Sequence, residues 1–108
     1  MEALRFKQET DFIPGKTYSV CLRGGRRYNT SGEFDLSLYT PKHWENPQAL
    51  ANIKSQCQYR FMDLTENDCV DNYNSDARTY VRLAAVMADI YPGFEAREII
   101  TILRFIVS

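Results

Sequence analysis

The stretch Ile99-Ile100-Thr101-Ile102-Leu103-Arg104-Phe105-Ile106-Val107 decides the fold, because it reads in two ways. Its β-branched residues favour a strand on propensity alone. Its polar positions tell another story. Arg97, Thr101, Arg104 and Ser108 recur at helical spacing, and apolar residues fill the rest of the circumference. Glu95 and Glu98 then fall in the first turns of a helix, where the dipole favours anions. The apolar run from Phe94 to Val107 is also long for a strand. These features favour a helix over residues 94–107, with a strand as the rival.

Upstream, Ser75 or Asp76 caps a first helix. Arg78, Arg82 and Asp89 form its thin polar stripe, and Tyr80, Val81, Leu83, Ala84, Met87, Ile90 and Tyr91 cover the remainder. A helix that apolar is packed on most sides. Pro92-Gly93 breaks it. Residues 76–108 thus predict a helical pair. Its second helix is more apolar than one small sheet requires. Ile99, Ile102, Leu103, Phe105 and Ile106 are therefore candidate self-association residues for a homodimer.

The first part of the chain alternates at period two. Leu4 to Glu9 reads as a weak strand. Lys16 to Arg23 places Tyr18, Val20 and Leu22 on one face and Thr17, Ser19 and Cys21 on the other. Gly24-Gly25 supplies a tight hairpin, with Arg26 to Asn29 as the return strand. Glu33 to Tyr39 turns Phe34, Leu36 and Leu38 inward and Asp35 and Ser37 outward. This predicts an antiparallel meander over residues 1–41. In 42–64, Asn46 and Pro47 open a short helix carrying Leu50 and Ile53 to about Gln56. A strand follows from Gln58 to Leu64, although Ile53, Cys57, Phe61 and Leu64 also fit one helical stripe. Residues 65–75 read as an acidic loop. The expected fold is α+β: three or four antiparallel strands, one mid-chain helix and a C-terminal two-helix layer, in one domain.

The chain has 108 residues and a net charge of −1, which lacks the basic excess of a typical nucleic-acid binder. Cys21, Cys57 and Cys69 are odd in number and irregular in spacing, so they read as reduced thiols of a cytoplasmic protein. No apolar leader is visible at MEALRFKQET, and no run is long enough to span a membrane. Asn29-Thr30-Ser31 fits a glycosylation sequon that such a protein would not use.

Two charge clusters stand out. Arg23, Arg26 and Arg27 surround the Gly24-Gly25 turn, with Tyr28 beside them, and could grip an acidic partner or a phosphate backbone. Asp63, Glu66, Asp68 and Asp71 form an acidic stretch that suits a basic partner. It lacks the glycine and ligand spacing of a calcium loop. His43 with Cys57 or Cys69 could form a nucleophile pair, but no orienting residue is assignable. Trp44 reads as a core or lid residue.

No catalytic signature, cofactor motif or metal box emerges. The expectation is a non-catalytic module that docks to another protein, such as an inhibitor, an immunity-type protein or a phage-encoded regulator. Nucleic-acid binding through the basic turn is the alternative, and a small Cys or His enzyme the third.

Overall fold

The computed structural model describes residues 1–30 and 32–108. Ser31, and with it the completed sequon, lies outside the described residues. Five strands form one curled, mixed sheet: β1 (Glu2–Arg5), β2 (Thr17–Arg23), β3 (Leu36–Tyr39), β4 (Ala49–Arg60) and β5 (Ile99–Val107). Their spatial order is β1-β3-β4-β5-β2. The β1–β3 pair is parallel and the others are antiparallel. One helix, α1 (Tyr80–Ile90), and three short 3-10 turns lie between β4 and β5.

The C-terminal two-helix layer is overturned. Residues 99–107 form a strand with partners on both sides, β2 at one edge and β4 at the other. A strand covered on both faces reads as a continuous apolar run, which mimics a helix buried all round. Its polar residues are not a solvent stripe. The Thr101 hydroxyl is buried and donates to the carbonyls of Gly24 (2.9 Å) and Arg26 (3.2 Å). Arg104 donates to the Asn67 carbonyl.

The mid-chain helix is replaced by β4. The pairing of β4 with β5 shifts register between Ile53 and Ser55. A bulge of this kind moves one residue out of the alternation. Ile53 therefore pairs with Phe105 on one face and Cys57 with Ile102 on the other. The apparent helical stripe was a strand whose parity changes halfway along.

The antiparallel meander also falls. Glycine 24 does adopt a positive φ of 90°, but no return strand follows it. β2 pairs with β5, the element farthest from it in sequence. Asp35 and Ser37 are buried, not outward. Helix α1 starts later than expected, with the Thr79 side chain accepting the Arg82 amide as N-cap. Of its apolar residues Leu83 and Met87 are buried, Tyr80, Ala84, Val86, Ile90 and Tyr91 are half-buried, and Val81 is exposed.

Two apolar clusters hold the sheet. The concave face gathers Tyr18, Val20, Leu36, Leu38, Ala51, Leu103, Phe105 and Val107 with Phe6, Phe12 and Tyr73. The other face packs Cys21, Ile100 and Ile102 against Phe61, Leu64, Cys69, Ala77, Leu83 and Met87. The segment from 61 to 94 is thus a cover over the β5–β2 half of the sheet. Among the described residues no helix is long and apolar enough to cross a membrane.

Candidate docking surfaces

The basic turn lies where β2 leaves the sheet. Arg23 pairs with Glu98 at 2.7 Å, and Arg26 pairs with Glu2 at 2.7 Å. Arg27 donates to Gln58. Two of the three guanidinium charges are therefore matched by carboxylates, Glu98 just before β5 and Glu2 on β1. The Glu98 pairing leaves its own mark: the hydrogen bond from Arg23 holds the Glu98 carboxyl below its ordinary range. Tyr28 is not a free stacking ring. Its backbone is clamped by Gln56 through both amide and carbonyl, and Arg26 lies over its ring at 4.5 Å. This arrangement crosses and ties the end of the sheet. It offers a phosphate backbone little uncompensated charge.

The acidic stretch lies elsewhere, on the cover. Among the described residues no ion pair joins it to the basic turn. Two of its carboxylates have structural duties. Glu66 accepts the Tyr80 amide at the start of α1, where the helix dipole favours an anion. Asp68 accepts the backbone and hydroxyl of Thr65, closing a capping box. Asp63 and Asp71 are exposed.

Apolar side chains that the sequence reading passed over stand among these acids. Val81 is 77% exposed, Met62 55%, Val70 50% and Tyr59 37%. Local contacts draw them together. The Val70 amide bonds the Glu66 carbonyl, and Glu66 bonds the residue before Val81. Met62 follows Phe61, whose ring lies 5.1 Å from that of Tyr80. The Tyr59 phenol is raised in pKa, first by its hydrogen bond to the Cys57 thiol, with burial and the charge of Asp68 adding to it. The cover is therefore a mixed acidic and apolar surface. A valine inside the polar run from Asn67 to Asn74 was the available signal.

Of the self-association residues, Ile102, Leu103 and Phe105 are buried inside the chain's own core. Ile106 is half-buried, and Ile99 is exposed at the strand's start. The unpaired helix face that motivated them does not exist.

Two of the three thiols, Cys21 and Cys69, are buried, and Cys57 is half-buried on β4. Burial pushes Cys21 up to about 12, with Cys69 nearby adding to the effect. Burial pushes Cys69 up to about 11, helped by Glu66 and Asp68. A catalytic thiol needs the opposite direction. His43 shares a hydrogen bond with Thr40. Trp44, expected in the core or as a lid, is 52% exposed.

No family model matches the chain, and no curated protein or solved structure matches it either.

Proposed function

We propose that this protein is a non-catalytic module that docks onto a basic surface of another protein through residues 59–81, the end of β4 and the first part of the cover. The observation that supports the reading is the co-location of Tyr59, Met62, Val70 and Val81 with Asp63, Glu66, Asp68 and Asp71. Exposed apolar groups supply the contact area, and the surrounding carboxylates choose the sign of the partner. Small inhibitors, immunity-type proteins and phage-encoded regulators act in this manner. A cytoplasmic setting with reduced thiols is part of the same reading.

The basic turn supports nucleic acid less well, because Glu98 and Glu2 already answer Arg23 and Arg26. Affinity capture from the native host compares wild type with Asp63→Lys/Asp71→Lys and with Arg26→Glu. The expected result is one protein partner retained by wild type and Arg26→Glu but lost by the double variant, with unchanged melting temperatures. Retention of that partner by the double variant, or recovery of nucleic acid alone, overturns the reading.

A further inference from the structure

Trp44 is the chain's one tryptophan, and about half of it faces solvent. A single exposed apolar ring is ordinary; Trp44 stands out because a hollow adjoins it and hydrogen bonds hold its loop. The loop is rigid. Thr40 and His43 close it with a backbone bond of 2.9 Å, and the Lys42 amide donates to Glu9 at 2.7 Å. Gln48 returns the chain to the sheet through the Leu38 carbonyl. The indole itself is backed by Arg5. That guanidinium lies 4.6 Å from the Trp44 ring and 4.2 Å from the Tyr39 ring, and it donates to the Trp44 carbonyl.

Beside the indole is a hollow of about 340 Å³ lined by Pro41, Lys42, His43, Trp44, Glu45 and Asn46. Arg5 does not line it, whereas Trp44 does. The volume falls within the range of small-ligand sites. Its rim carries a donor in Lys42, an acceptor in Glu45 and both in Asn46. The two opposite charges cancel, which disfavours a phosphate-bearing ligand.

We propose that the Trp44 hollow binds one ring of a neutral glycan, with the indole as platform and Lys42, Glu45 and Asn46 bonding its hydroxyls. A sugar ring has an apolar C–H face and a rim of hydroxyls, which matches an aromatic floor with mixed polar edges. Hydrogen bonds that a hydroxyl donates to a carboxylate, or accepts from an ammonium, are the stronger kind. The proposal is independent of docking through the cover, which lies on other elements.

Because Trp44 is the single tryptophan, its fluorescence reports the site directly. Methyl glycosides of glucose, galactose, mannose and N-acetylglucosamine, and their tetrasaccharides, are titrated against the intact chain. Adenosine and uridine monophosphates and an acidic peptide are run in parallel. A saturable emission change is expected for at least one sugar, with a single ring binding in the millimolar range. Calorimetry should show that Trp44→Ala abolishes binding, that Trp44→Phe keeps part of it and that Glu45→Gln weakens it several-fold. Circular dichroism confirms that each variant folds. The proposal is overturned if no sugar moves the emission, if the nucleotides bind more tightly than every sugar, or if folded Trp44→Ala binds as wild type does.

Discussion

The Ile53 amide donates to Asp35 Oδ2 at 2.8 Å, at the point where β4 slips register against β5. Asp35 thereby holds the bulge from the neighbouring strand, and the Asn52 side chain accepts the Asp35 amide in return. Removing a buried acceptor leaves the donor unsatisfied, which costs about 1–3 kcal/mol. Asp35→Ala should lower the unfolding free energy, read from urea melts, by that amount. Asp35→Asn retains an oxygen for Ile53 and should lose less. Equal losses in the two variants would mean that the bond contributes nothing to the bulge.

Phe105 and Val81 form a second contrast. Phe105 is fully buried in the concave cluster, while Val81 projects from α1. Truncating a buried phenylalanine costs about 3–5 kcal/mol. An exposed site away from special features stays within about 0.5 kcal/mol. Denaturant melts of Phe105→Ala and Val81→Ala should separate by that margin. Similar melts would contradict the central place of β5.

Alkaline pH should weaken the fold. Cys21 titrates near 9 when free and is pushed up to about 12 by burial. The folded chain keeps a proton that the unfolded chain gives up, so unfolding gains from rising pH. The stabilisation is complete below about 9 and fades as pH climbs towards 12. Tyr73, raised by burial, acts in the same sense. Thermal melts should fall through this window, and Cys21→Ala should flatten the part due to the thiol.

Arg26→Glu places two carboxylates together where Arg26 now meets Glu2. The pair is largely exposed, so the melting temperature should change little and the change should shrink at high salt. A large, salt-independent loss would show that Arg26 is a buried strut rather than a surface tie.

The strands of simple alternation were legible: Thr17–Arg23 and Leu36–Tyr39 pair as regular ladders, with Leu36 and Leu38 on the core face. Two elements were hidden for definable reasons. β4 changes parity at its bulge, so no single period describes it. β5 is covered on both faces, and its Thr101 and Arg104 bond to loops rather than to water, so polar spacing imitated a helix. Strand order was beyond reach, because β2 and β5 meet across most of the chain. At the surfaces, charge runs were visible. Whether a charge already had a partner was not, as the pairing of Arg23 with Glu98 and of Arg26 with Glu2 shows. Trp44 looked like core because tryptophan usually is, and no local pattern announces that a ring stays outside.

The place of β5 also bears on how the protein is made. β2 has its only full ladder with β5, and β4 has its longest there. During synthesis the first four strands leave the ribosome with the strand that joins β4 to β2 still missing. β2 then has nothing to pair with but itself or another nascent chain. Folding must therefore wait for residues 99–107, and the loop closed at that moment is long, which slows the step. Removing residues 99–107 should therefore leave β2 without its ladder and the sheet open at β4.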